Sequence, residues 1–310
     1  MIPKKFFSRN YYLSTIVIIS TVIILDCFQT FANSLTSVSQ QQNYEIERNI
    51  VYETVNDYQL KLDVYKNKTP GLHPTLMVIH GGGWIHGNKD DEELFFTPYY
   101  LNWGFSVVNI NYRLASTALA PGAVEDSLCA LNWITENASK YNLDLSKLVL
   151  SGFSAGGHLA LITGIMADVT KFNQQCPDSK PVKIAAIVNW SGITDVTDLL
   201  IGPDKKYFAV QWFGNKISSR EVAIAKTISP INFVRPYLSP ILTIHGDKDT
   251  FVPYSQATRF HQALDKAGVV NQLFTVSGAE HGGYSKSQKK QIYAIIKAFL
   301  IKQGIITNGT

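Results

Sequence analysis

Cysteine is scarce in this chain, with three in 310 residues, at positions 27, 129 and 176. That excludes a disulfide-stapled scaffold. The seven histidines are scattered, without neighbouring cysteines or paired carboxylates at metal-ligand spacing, so no metal site is expected. The chain also lacks internal repeats. Its N-terminal apolar run, Leu13 to Leu25, falls short of the roughly 20 residues that a membrane helix requires. No run of Lys and Arg follows it, which argues against a nucleic-acid partner.

What that N-terminus does have is an order. Lys4, Lys5 and Arg9 precede the apolar run, and Thr30-Phe31-Ala32 supplies small residues at the spacing of a signal-peptidase site. Basic, apolar, small describes a secretory signal over residues 1–32 and predicts a secreted or periplasmic protein, with an uncleaved membrane anchor as the alternative. Cys27 is a poor lipoprotein cysteine because Asp26 stands where a small residue belongs. Removing residues 1–32 leaves 25 basic and 23 acidic side chains, a nearly neutral protein with no membrane partner once the signal is cleaved. An oxidising compartment permits a Cys129–Cys176 disulfide. Cys129 within a predicted helix reads more readily as a small packed hydrophobe than as a disulfide partner, and the residues leave the pairing open.

Residues 33–44 are polar and read as a tether. Two runs, 49–55 and 59–65, flank Asn56-Asp57; in the second, Leu60, Leu62 and Val64 alternate with Lys61 and Asp63, and the pair predicts an antiparallel hairpin. From residue 75 the pattern changes to short, continuously apolar runs at 75–80, 105–111, 147–152, 183–190, 240–246 and 272–276. Strands of a parallel sheet covered on both faces look like this. Helix-period stripes lie between and after them: Val124, Leu128, Leu131, then Ile292, Ile295, Ile296, Phe299 and Leu300, with a further helix from Ala155 to about Met166. The expected architecture is a mostly parallel, doubly wound α/β sheet with an N-terminal antiparallel hairpin, spanning residues 45–303 and followed by a tail at 304–310. Residues 195–232 are long for a connection and read either as a small lid or as a helical crossover.

Four stretches carry chemistry, each directly after a predicted strand. "GFSAGGH" (152–158) places Ser154 between glycines at a strand-to-helix turn, which lifts a hydroxyl above the sheet's carboxyl edge. A serine needs a base. His158 is nearest in sequence but lies four residues into the same helix, below that edge, and is expected to pack against the sheet. His281 in "VSGAEHGGY" follows the last strand in a glycine-shaped loop and is the expected base. "HGDKDTFVP" offers two carboxylates to orient it. Asp247 is held at the strand end, whereas Asp249 sits at the loop tip, within reach of the histidine loop. "HGGGW" (80–84) supplies glycine backbone N–H groups for an oxyanion, joined by the N–H of Ala155. His80 is expected to brace that loop.

These motifs, with "LKLDVY", "VNINYRLA", "PGAVEDSLCALNWI" and "SPINFV", make the region from about Tyr58 to Ile301 resemble α/β-hydrolase esterases with an HGGG oxyanion loop. These are the hormone-sensitive-lipase-like and bacterial feruloyl/acetyl-esterase-like families. The resemblance implies the α/β-hydrolase fold, Ser154 as the acylated residue, Asp249 and His281 as its partners, and Gly82, Gly83 and Ala155 as oxyanion donors. Phe153 replaces the Asp that precedes the nucleophile in many hormone-sensitive-lipase-like members, and residues 33–57 leave little room for their helical cap. Both departures favour the feruloyl/acetyl-esterase-like side.

The expectation is therefore a cofactor-independent serine ester hydrolase acting on small short-acyl or aromatic esters. Trp84, Phe153, Trp190 and Trp212 are its expected pocket walls. A formamidase-like amide hydrolase on the same scaffold is the alternative. A non-catalytic binding protein is a lesser one.

Overall fold

The computed structural model describes residues 43–91, 97–167, 175–176 and 181–308. The expected signal at 1–32 and nearly all of the tether lie outside the described residues. Strands β1 (Tyr44–Val55) and β2 (Tyr58–Asn67) form the expected hairpin, longer at its start than the alternating pattern had suggested. Val55 faces Tyr58 across the Asn56-Asp57 turn, and both turn residues have positive φ, at 46° and 66°. That twist matches the twist of paired strands, which is why Asn and Asp serve there.

The remaining elements are β3 (His73–Ile79), α1 (Thr97–Asn102), β4 (Ser106–Ile110), α2 (Gly122–Tyr141), β5 (Leu143–Phe153), α3 (Ala155–Met166) and β6 (Ala186–Trp190). After them come α4 (Val196–Ile201), α5 (Tyr207–Trp212), α6 (Ser219–Thr227), β7 (Ile241–Gly246), α7 (Ser255–Lys266), β8 (Asn271–Val276) and α8 (Lys286–Lys302). The sheet order is β1-β2-β4-β3-β5-β6-β7-β8, antiparallel as far as β4 and parallel beyond it. Strands β4, β6 and β7 are buried at every position, as continuous apolar runs require when helices cover both faces.

Alternate residues feed two cores. Met77 and Ile79 join Leu148 and Leu150 beneath α2 and α3, while Leu76, Val78 and Val149 meet Tyr100, Trp103 and the α8 stripe on the other face. Cys129 on α2 is bonded to Cys176, with Cα atoms 5.6 Å apart, which resolves the question the sequence had left open.

Residues 304–306 depart from the expected tail. Gly304 turns back with φ 70°, and Ile305 and Ile306 are buried against the α8 core. Two isoleucines after a helix-ending glycine seal that core. The insertion over 195–232 is three short helices and a 3₁₀ turn, and its Leu199, Leu200, Phe208 and Trp212 belong to the same core as α2 and α3. Arg259 on α7 pins it, with guanidinium nitrogens 3.2 Å from Asp195 and 2.6 Å from Asp198.

Candidate active site

Ser154 sits at the junction of β5 and α3 with φ 57° and ψ −118°, a conformation that a non-glycine residue keeps only under constraint. The constraint is visible: its N–H donates to Trp190 O at 2.8 Å, tying the turn to β6. The start of α3 also abuts the end of β3. A Cβ on Gly156 would lie 2.0 Å from Ile79 O and 2.5 Å from His80 O, so only glycine permits this approach.

The structure brings the other two expected residues to this serine from loops after β7 and β8. His281 Nε2 lies 2.9 Å from Ser154 Oγ, and His281 Nδ1 lies 2.7 Å from Asp249 Oδ2. Because the carboxylate only accepts, Nδ1 carries the proton and Nε2 is left bare toward the hydroxyl. The Asp249 side chain is fully buried, and its other oxygen accepts the Phe251 and Val252 N–H groups, each at 2.9 Å. Burial pushes this carboxyl upward, but donors from His245, His281 and the Val252 N–H outweigh it and hold Asp249 well below the usual carboxylate range. Asp247 instead accepts from the Gly278 N–H at 2.7 Å, stitching the two loops together.

In the 80–84 loop, Gly82, Gly83 and Trp84 all have positive φ, at 104°, 60° and 62°. A Cβ on Gly82 would fall 2.0 Å from His86 O. Among the described residues, no backbone carbonyl takes the Gly82 or Gly83 N–H. Ala155 is the first residue of α3, where an N–H has no intrahelical acceptor. His80 braces the loop as expected from its position. It stacks on Tyr112 at 4.2 Å, its Nδ1 bonds Gly81 O at 2.8 Å, and burial lowers its pKa to about 4.

His158 is buried in α3, with Nε2 2.7 Å from Ile228 O and Nδ1 accepting the Trp84 indole N–H at 3.2 Å. It makes no contact with the serine hydroxyl among the hydrogen bonds of the described residues.

Three of the four expected pocket walls require correction. Trp84, Trp190 and Trp212 are completely buried. Trp84 and Trp212 stack on each other at 4.1 Å, and Trp190 packs beside Tyr293 on the opposite core. An aromatic residue next to a motif carries no information about which way its ring points. Phe153 alone stays partly exposed, its ring 4.8 Å from that of His281.

Sequence reasoning missed two neighbours. Phe251 is 54% exposed and lies nearly parallel to the His281 ring at 5.5 Å. His245, fully buried on β7, places Nε2 2.8 Å from Val252 O and 3.3 Å from Asp249 Oδ2. The signal for His245 was the only ionisable side chain inside the apolar run 240–246.

A sheet of this order with a serine elbow, an acid loop after β7 and a histidine loop after β8 defines an α/β-hydrolase. The sequence model of the BD-FAE family matches residues 62–264, and the chain belongs to that family. A second model, described as TAP-like protein, matches residues 219–310. Among curated proteins, the chain is similar to Esterase LipC of Mycobacterium tuberculosis, 26% identical over 78% of this chain and 61% of that protein. It is also similar to Esterase LipQ of the same organism, 28% identical over 71% and 52%. The chain thus spans between half and two thirds of the length of these relatives. Among solved structures, a truncated carbohydrate esterase from gut microbiota superposes with a TM-score of 0.72 at 26% identity, over 83% of this chain and 97% of that one.

Proposed function

We propose that this protein is a serine carboxylic-ester hydrolase working through an acyl-enzyme. The observation that carries this reading is the unbroken line Asp249 Oδ2, His281, Ser154 Oγ, with spacings of 2.7 and 2.9 Å. His281 takes the hydroxyl proton as Ser154 attacks the ester carbonyl, and buried Asp249 stabilises the imidazolium. The negative charge of the tetrahedral intermediate falls to the N–H groups of Gly82, Gly83 and Ala155, each donor worth on the order of 10²–10³ in rate. Imidazolium then protonates the departing alcohol, and in the second half His281 activates water against the acyl-serine.

Substrates are proposed to be small short-acyl or aromatic esters of the feruloyl and acetyl type. Phe153 and Phe251 flank the histidine that must meet the leaving oxygen, which suits a flat or compact alcohol. The LipC and carbohydrate-esterase likenesses support ester chemistry without naming the ester. Export is proposed as well, since a Cys129–Cys176 disulfide suits an oxidising compartment.

The test pairs p-nitrophenyl acetate, feruloyl esters and acetylated sugars with N-formylkynurenine, on wild type and Ser154→Ala. Ester turnover that vanishes in S154A is the expected result. Faster formamide cleavage, or ester turnover that survives in S154A, would sink it.

A further inference from the structure

The oxyanion loop has a problem that its own sequence does not solve. Gly82 and Gly83 adopt positive φ freely, but Trp84 follows with φ 62°, which a bulky side chain resists. A conformation of this kind persists only where its surroundings over-determine it. Three residues supply the surroundings of Trp84. Its carbonyl accepts the Ala115 N–H at 2.9 Å, and its indole face stacks on Trp212 at 4.1 Å with only 12° between the planes. Its edge meets the His158 ring at 5.1 Å and 89°, and its indole N–H donates to His158 Nδ1 at 3.2 Å.

That last bond fixes the state of His158. An indole nitrogen can only donate, so Nδ1 must be bare. Ile228 O can only accept, so Nε2, 2.7 Å away, must carry the proton. A neutral imidazole in this one tautomer satisfies both partners. The imidazolium would aim a second N–H at the indole N–H. Through this ring three separate parts of the chain meet: the elbow helix α3, the oxyanion loop at Trp84, and the insertion at Ile228. The insertion presses on the loop a second time, since a Cβ on Gly83 would lie 2.9 Å from Phe208 Cβ.

We propose that His158 is a positioning residue for the oxyanion hole, fastening Trp84, and with it the Gly82 and Gly83 N–H groups, to the helix that carries Ser154 and Ala155. The donors on the loop and the donor on α3 must converge on one oxygen, and the Trp84–His158 bond is a direct side-chain link between those two elements. On this view the 195–232 insertion acts as a clamp on the oxyanion loop, with Trp212, Phe208 and Ile228 as its points of contact. The inference rests on the ester-hydrolase reading of the site.

The decisive variant is Trp84→Phe, which removes the indole N–H and keeps an aromatic ring against Trp212; His158→Leu removes the fastener itself. Each is assayed on p-nitrophenyl acetate, with rates normalised to the sites labelled by a fluorophosphonate at Ser154. The expected result is a fall in kcat of at least tenfold, KM within about threefold, and a double variant no slower than the worse single one, because both changes break the same link. Ile292→Ala, in the opposite core, serves as the stability control, with a lowered Tm and wild-type kcat per labelled site. If W84F keeps its kcat within twofold while its Tm falls, the bond is packing and the inference fails. Should H158L not fold, W84F alone decides the matter. Absence of fluorophosphonate label on wild-type Ser154 would instead overturn the reading of the site, and this inference with it.

Discussion

Asp249 is shared by two histidines. Its Oδ2 atom faces His281 Nδ1 at 2.7 Å and His245 Nε2 at 3.3 Å, the second from a fully buried ring on β7. His245 also reaches Val252 O at 2.8 Å, so it holds the acid loop and the acid together. His245→Phe keeps the ring and deletes the donor. The expected outcome is a domain less stable by about 1–3 kcal/mol in urea unfolding, with kcat reduced about tenfold. Unchanged kcat would reduce His245 to a packing residue.

On the proposed mechanism, replacing Asp249 by Asn leaves the geometry in place but removes the charge that stabilises imidazolium. Loss of kcat on the order of 10³–10⁴ is expected, close to that of His281→Ala, with Ser154→Ala at background. Steady-state kinetics on a p-nitrophenyl ester read this directly. A D249N enzyme within tenfold of wild type would point to a different acid.

Acid should weaken the fold in two stages. His80 and His158 are held neutral by burial, with pKa values lowered from 6.5 to about 4. Between those limits the unfolded chain binds protons that the folded chain refuses, so stability falls as pH drops from 6.5 to 4, by about 3 kcal/mol for each group at most. Asp249 acts lower still. Its depressed pKa contributes stability above the ordinary carboxylate value of about 3.9, which is lost as pH falls further. Urea melts at pH 7, 6, 5 and 4 test the first stage. A flat profile there would contradict the burial of both rings.

The Cys129–Cys176 bridge closes a stretch with a sequence separation of 47 residues. Constraining a loop of that size in the unfolded chain stabilises the fold by roughly 2–4 kcal/mol. Dithiothreitol, or the Cys129→Ser, Cys176→Ser pair, is expected to lower Tm while leaving the rate on p-nitrophenyl acetate at about 25 °C within twofold of the untreated protein. Calorimetry with and without reductant measures it.

Deleting residues 304–310 is expected to destabilise the domain by several kcal/mol, since burying an isoleucine contributes about 1.5–3 kcal/mol and both Ile305 and Ile306 are buried. A truncated chain with wild-type Tm would restore the view of this segment as a loose tail.

The parts legible in the sequence were those where local pattern and position agree. Ser154, Asp249 and His281 each follow an apolar run closely, and a parallel sheet delivers all such positions to one edge. The Asn56-Asp57 hairpin turn and the limits of α3 were legible for the same reason, as period and punctuation coincided. What escaped depends on direction in space. Trp190 ends a strand whose last side chain happens to face the α8 core, and nothing in its neighbours encodes that parity without the register. Phe251 and His245 become neighbours of the site only through the fold of the 246–252 turn. Ile305 and Ile306 lie beyond the helix period that would have marked them as core.

The buried Ile305 and Ile306 also set an order on the making of this molecule. In chain order Ser154 precedes Asp249 and His281, and the two isoleucines that seal the α8 core come after all three. A chain interrupted before residue 305 therefore carries Ser154, Asp249 and His281 without the sealed core beneath them. The set of site residues is therefore complete in the chain before the α8 core can close.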